Sequence, residues 1–403
     1  MKYAIVILGG AADEPQPEFD GQTPLEQAEA AALAQLAAAG RLGEVQFIPP
    51  DAKPAVPPGP DAALLSLLGY RPDRRYPGHA PLHALGVGLP LAQGDFCFEL
   101  SLLSVIDGVV QPTSALNIPD REAESLIRGL LAEVDMPGAV VHPGQPTRPG
   151  TPAHLLIDPH SADDPRDWSE VVTQRPGDIA GLPLRKALPV GGTAGERLHR
   201  FIDAAAAHLA NHELNRARAE MGEPAITHLW PWGQGTLRPP AGGKPIKPWP
   251  TRFGKSGVVI SDDPAVRGVA KLVGLDAMRP ERPAVNEDPA KNTADDRSAL
   301  AQLGASAVEA VGRYDLTIIH ADHARQASMD TGPRDKVRAI EQTVGYVLDP
   351  VGRCLVETGE PYRLLVTPLH ATHLQTRREA ASPVPFLVAG HKIANVVARP
   401  LAE

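Results

Sequence analysis

The sequence predicts an α/β protein: a mostly parallel sheet with helices on both faces, split by a smaller inserted α+β domain. Three observations carry that expectation. Short, nearly continuous aliphatic runs at Tyr3–Leu8, Gly257–Ser261, Leu316–His320 and Tyr362–Thr367 read as strands buried on both faces. Helical segments separate them, the rhythm of β–α–β units. From Gly94 to Pro189 the character changes to alternating strands among proline-broken loops. The division expected is therefore core at 1–93, an inserted α+β domain at 94–189, and core again at 190–403.

Taken in order, the strand Tyr3–Leu8 ends in Gly9-Gly10-Ala11-Ala12-Asp13, a loop at the carboxyl end of a strand, where α/β proteins place their sites. Thr23-Pro24 caps a helix, Leu25 to Ala39, that stops at Gly40. A strand at Glu44–Ile48 leads to Val56–Tyr70, VPPGPDAALLSLLGY. This is a proline-braced turn feeding an apolar helix, with Pro60 at a first-turn position and Asp61 at the positive end of the helix dipole. Such turns present nucleophiles or cradle anions, because free N–H groups converge there. Here the exposed position is proline, which has no hydroxyl.

Leu82–Leu91 is a short apolar segment. Phe96–Val110 alternates as strands about an Asp107-Gly108 hairpin turn, a helix spans Pro119 to Val134, and strands follow at Val140–His142 and Ala153–Ile157. Glu196–Arg218 reads as one long helix, and the aromatic HLWPWGQG after it as a packed plug between the two domains. A polar connection from Thr236 to Thr251 precedes the returning α/β rhythm. That rhythm has helices at Pro264–Leu272, Asp295–Val311 and Pro333–Thr358 and a last strand at Val384–Val388.

Composition narrows the class. The chain has 403 residues, 43% of them hydrophobic, and a net charge of -9, which disfavours nucleic acid and anionic membranes as partners. Its two cysteines, Cys97 and Cys354, form no CxxC pair, so neither a disulfide framework nor a zinc cluster of thiolates is implied. The apolar start is too short for a secretory core and no later run approaches a membrane span. A cytoplasmic, soluble protein is expected. The glycine turns Gly9-Gly10, Gly191–Glu196 and Gly254–Gly257 lack the Rossmann and Walker frameworks. Ser256 and Ser261 have no His-Asp order beside them to make a triad.

With these pieces in place, the chain resembles the cofactor-independent phosphoglycerate mutases of the archaeal type, in the alkaline phosphatase superfamily. The motifs are PPGPDAALLSLLGY, close to the family's PPGSDxAxLSxLGY, and FDGQTPLEQAEAAALAQLAAAGRLG. HxxNRxR is also present as His212, Asn215, Arg216 and Arg218, followed by WPWGQG and by SPVPFLVAG at Ser382–Gly390. The resemblance covers nearly the whole chain. It implies an alkaline-phosphatase-like fold, isomerase chemistry on phosphoglycerate, a serine that takes up the phosphoryl group, and two divalent metals held by aspartates and histidines.

Carried over by position, those groups are mostly replaced. The serine is Pro60, and the aspartate after the first strand is Gly9. A metal aspartate falls on Arg325, and its histidine on Met329. The late Asp-His pair falls on Leu369-His370, keeping only His370, the last histidine falls at Glu379, and the arginine of GRGP is His79. Hard dications need carboxylates to offset their charge, and proline carries no phosphoryl group. The resemblance therefore implies a pseudoenzyme, a binding or regulatory protein without a confident cofactor. Its ligand is expected to be a phosphorylated or carboxylate small molecule. His212, Asn215, Arg216, Arg218 and Arg325 are candidate anion contacts, with Arg377 and Arg378 beside Arg325's rim. The alternative is a metal-dependent phosphomutase or phosphohydrolase with a relocated site. His320, Asp322, His323, His370 and His373 end two strands and would hold zinc or manganese.

Overall fold

The computed structural model describes residues 1–51, 56–112, 116, 118–133, 136, 138–146, 152–159, 168–237, 245–281 and 292–394. Parts of the loops GQPTRPGTP and DPHSADDPRDW, residues 147–151 and 160–167, and of the connection expected from Thr236 to Thr251, residues 238–244, lie outside these. The strands in chain order are β1 Lys2–Leu8, β2 Arg41–Val45, β3 Phe96–Leu103, β4 Val105–Ile106, β5 Val109–Val110, β6 Val140–Pro143 and β7 His154–Asp158. They continue with β8 His228–Gly235, β9 Gly257–Ser261, β10 Asp276–Met278, β11 Leu316–Ala321, β12 Tyr362–Thr367, β13 Ala371–His373, β14 Arg378–Ala380 and β15 Val384–Gly390.

The chain divides into two compact units, Met1–Tyr76 with Ile246–Glu403, and Pro77–Pro245. In the first, a seven-stranded sheet has the order β10-β9-β11-β1-β12-β15-β2. Neighbours from β10 to β12 are parallel, and only β15 runs against the rest. All five residues of β9 and all six of β11 are buried, so these strands need no polar alternation. The core packs Val6, Leu8, Val258, Ile260, Ile319 and Val366 against helices that include Leu300, Leu303, Val347 and Val351. Thr23 starts its helix with a complete capping box to Glu26.

The second unit carries the antiparallel sheet β6-β7-β3-β8 and the hairpin β4-β5. Phe98, Leu100 and Trp230 face Leu198, Phe201 and Ile202 of the helix Gly192–Ala210. Cys97, Leu155 and Ile157 face Ala80 and Ala84 of the helix His79–Val87.

The unit boundaries differ from those expected, at Tyr76/Pro77 and Pro245/Ile246 instead of near 94 and 189. The reason is pairing. HLWPWGQG is strand β8, joined to β3 from His228 to Gly235, and it brings the long helix before it into the same unit. The tryptophans are therefore sheet residues: Trp230 Nε1 donates to Gln174 O at 2.8 Å and Trp232 Nε1 to Ser101 Oγ at 2.9 Å, all within this unit. Three expected helices are broken: Leu25–Ala39 into Pro24–Gln27 and Ala31–Ala39, Pro119–Val134 into Asp120–Ile127 and Leu130–Glu133, and Glu196–Arg218 into Gly192–Ala210 and Glu213–Glu220. The strand expected at Glu44–Ile48 is Arg41–Val45. Pro333–Thr358 continues helically through a π segment, Val344–Leu348.

Candidate functional site at the carboxyl ends of the strands

Register sets the site. Ser261 pairs with His320, His320 with Ile7, and Ile7 with Thr367, so one rank of residues crosses β9, β11, β1 and β12 near their carboxyl ends. Beyond that rank the chains turn together over one rim of the sheet. Gly9 N donates to Ala321 O at 2.8 Å, Arg325 N to Gly9 O at 3.0 Å and Thr372 N to Ala12 O at 3.0 Å.

At the rim the guanidinium of Arg325 meets the carboxylate of Asp322 edge to edge. Nε donates at 2.8 and 2.9 Å to Oδ1 and Oδ2, and Nη2 at 2.6 Å to Oδ2. Its Nη1 lies 3.5 Å from Glu379 Oε1, carried there by the β13–β14 hairpin, in which Thr372 pairs with Glu379. Burial raises the cost of ionising Asp322, but the Arg325 charge and hydrogen bonds outweigh it and hold its carboxyl below the usual range. Burial works against the charged form of Arg325 too. Asp322 and Glu379 overcome it, and the guanidinium is held more firmly charged than usual.

His320 is the buried member of the group, its pKa depressed chiefly by desolvation. Its Nδ1 lies 2.9 Å from Ser261 Oγ, which also accepts the Asp263 N–H at 3.0 Å. Its Nε2 has no hydrogen-bond partner and stands 3.8 Å from Asp322 Oδ1, beyond hydrogen-bond reach. Asp263 caps the helix Pro264–Leu272 through Ala265 N and Val266 N. His370 Nδ1 faces Ala371 O at 3.1 Å; a carbonyl only accepts, so that nitrogen carries the proton.

Several residues predicted for this rim are thus brought together: Gly9, His320, Asp322, Arg325 and Glu379. Glycine at position 9 matters sterically, since a Cβ there would stand 2.8 Å from Ala321 O and 3.0 Å from Asp322 Oδ1. Leu369 is buried next to His370, and Met329 is half-buried on the helix His323–Asp330. His323 opens that helix. His373 turns toward a different group: its Nδ1 lies 3.5 Å from Asp13 Oδ1. Asp13 is ion-paired at 2.7 Å with Lys336, a fully buried lysine that also donates to Ala12 O and Thr372 O. Pro60 is buried at the first residue of the helix Pro60–Leu67. Asp61 accepts from Ala62 N and from the Tyr76 hydroxyl, each at 2.8 Å.

The anion contacts need correction. Arg325 directs its donors at two carboxylates, which cancel its charge. Asn215 donates to Leu209 O and Ile226 O and accepts from Ile226 N, so its amide is fully engaged. Arg218 is buried against Pro224 O, Leu116 O, Glu223 and Glu122. Its neighbour Arg216 bonds Asn211 O, and His212 caps its own helix. HxxNRxR is a clamp that joins two helices to the loop before β8. Ser261 and Asp263 were passed over as rim residues, although a hydroxyl ending an apolar strand and an Asp-Pro cap right after it were both legible.

The metals that the resemblance implies do not fit these residues. The Asp322 carboxylate is held in a two-edged bond by a guanidinium, and a cation stands where a ligand is needed. Among the described residues, the rim brings no three His, Cys, Asp or Glu ligand atoms within 4.8 Å of one another.

A parallel sheet whose rim gathers histidines and acids, with a second unit inserted in the chain, defines an α/β protein with its candidate site at the carboxyl ends of the strands. Comparison narrows this. Residues 37–215 match the family described as 2,3-bisphosphoglycerate-independent phosphoglycerate mutase. The enzymes of that name from Methanothrix thermoacetophila and Methanosarcina barkeri are each 30% identical to this chain, covering 97% and 96% of it and 91% and 90% of their own length. A solved Pyrococcus horikoshii protein superposes with a TM-score of 0.70 at 25% identity, covering the whole chain and 91% of its own. The cofactor-independent phosphoglycerate mutase from Thermoplasma acidophilum shares the fold, with a TM-score of 0.51 at 20% identity over the whole chain and 93% of its own. The chain belongs to the cofactor-independent phosphoglycerate mutase family, of the archaeal type. No helix among the described residues is long and apolar enough to cross a membrane.

Proposed function

We propose that this member of the family has lost metal-dependent phosphoryl transfer and acts as a binding or regulatory protein. The observation that carries the reading is the Arg325 guanidinium bonded to Asp322 and facing Glu379 at the rim. A dication that took Asp322 as a ligand would have to break its bonds to Arg325 and sit beside the released guanidinium, a like-charge contact of ~4 kcal/mol per unit charge at ~4 Å and an effective dielectric of ~20. Its carboxylate partner is already engaged. Proline at position 60 supports the same reading, because it offers no oxygen to a phosphoryl group. An internal cation satisfies the acids that remain. The test is conversion of 3-phosphoglycerate to 2-phosphoglycerate by the purified chain supplied with Mn2+ or Zn2+. No turnover is expected; metal-dependent turnover would overturn the reading.

One observation favours a second reading, a phosphomutase or phosphohydrolase with a relocated metal. The Nε2 of His320 is buried without a partner, and His370, with its proton on Nδ1, keeps an Nε2 lone pair. Asp322, His323 and His373 would complete that set only if Arg325 released Asp322 and His373 turned from Asp13. This reading predicts metal content that falls on His370→Ala.

A further inference from the structure

The second unit holds another group of ligand-type side chains, one of which, His79, stands where the resemblance puts the arginine of GRGP. His79 and His83 stand one turn apart on the helix His79–Val87, and both face Glu99, in the middle of β3. The His83 Nδ1 lies 2.9 Å and the His79 Nε2 3.3 Å from the same oxygen, Glu99 Oε2. All three ligand atoms lie within 4.8 Å of one another, and among the described residues no other such group does.

Ligand atoms in a tetrahedral zinc site, each about 2.0–2.1 Å from the metal, stand about 3.3 Å apart. The His79–Glu99 edge has that length, and the His83–Glu99 edge, 2.9 Å, is the hydrogen bond that a metal would replace. The frame is also held in place: the His79 ring stacks on Trp232 with centroids 4.8 Å apart, and Trp232 is tied to Ser101. His83 is fully buried and Glu99 sits on an interior strand of its sheet.

We propose that His79, His83 and Glu99 form a site for a divalent transition metal of the zinc class, with a fourth position open to water or a ligand. Two imidazoles and one carboxylate select zinc or cobalt over magnesium or calcium. Loading exchanges protons at His83. The Gln145 N–H donates to its Nε2 at 3.0 Å, so Nδ1 carries the ring proton and gives it to Glu99. The metal takes the place of that proton, which leaves to solvent; Nε2 takes up one in its stead, and the Gln145 N–H gives up its bond.

The experiment uses the whole purified chain, stripped with EDTA and titrated with Co2+. One equivalent is expected to bind with the visible bands of a tetrahedral site and to raise the melting temperature. His79→Ala and Glu99→Gln should each weaken binding by about 100-fold or more while the unloaded proteins keep the wild-type circular dichroism. His320→Ala and His370→Ala should leave binding unchanged. No binding, binding indifferent to His79→Ala and Glu99→Gln, or binding abolished by His370→Ala would overturn the proposal. The last result would instead place the metal at the rim of the first unit. The site in the second unit stands apart from the proposed loss of mutase activity, which Co2+ bound there would leave intact.

Discussion

Arg325 and Asp322 are a part-buried pair in which each makes the other tolerable. Truncating one partner of such a pair leaves an uncompensated charge. Arg325→Ala should cost about 3–5 kcal/mol in urea unfolding, and adding Asp322→Asn should recover part of that loss. Pro60→Ser supplies the missing hydroxyl but no metal, and it is expected to give neither mutase turnover nor a phosphoprotein. His320 governs the acid side. Burial sets its folded pKa below the unfolded value of about 6.5, so the unfolded chain binds the proton first. Stability is then whole above that value and declines as pH falls below it. His154 and His228, also depressed chiefly by burial, add to the slope. Asp322 works in the same sense at lower pH: its folded pKa lies under the unfolded carboxylate value, and its contribution fades below pH of about 4. Stability measured from pH 7 to 5 should fall less steeply in His320→Gln.

At the scale of elements, legibility followed burial. The strands Gly257–Ser261 and Tyr362–Thr367 and the helix Pro264–Leu272 stand where the pattern puts them, because an apolar run closed by turn residues and an Asp-Pro cap has one reading. The helix His323–Asp330 was not legible. Its sequence, HARQASMD, is polar, and it owes its place to the loop after β1. Gly10 makes that approach feasible: it has φ +72°, and a Cβ there would overlap the Arg325 backbone. Gly10→Ala should therefore cost about 2–4 kcal/mol, against about 1 kcal/mol for Gly88→Ala, where φ is +82° but no atom lies within 4 Å. The Arg325 guanidinium itself could be located from sequence only as a replaced ligand. Its partners, Asp322 three residues back and Glu379 on a distant hairpin, became visible once the chain was folded. The pair His79 and His83 had a local signal, i and i+4 on one helix, but the carboxylate it faces comes from a strand.

For the whole molecule, the parallel sheet and the family were legible, and the edges of the inserted unit were not. A composition change marks where loops become proline-rich, whereas a unit ends where strand pairing ends, and β8 pairs with β3 far along the chain from it. The family's architecture persists here while charged side chains at its rim pair with each other. The measurement closest to that claim is mutase turnover by the 403-residue chain itself, with 3-phosphoglycerate and saturating Mn2+, read as 2-phosphoglycerate formed. The account predicts a rate equal to that without protein, in wild type and in Pro60→Ser alike. Product that appears with wild type and disappears with EDTA would contradict it.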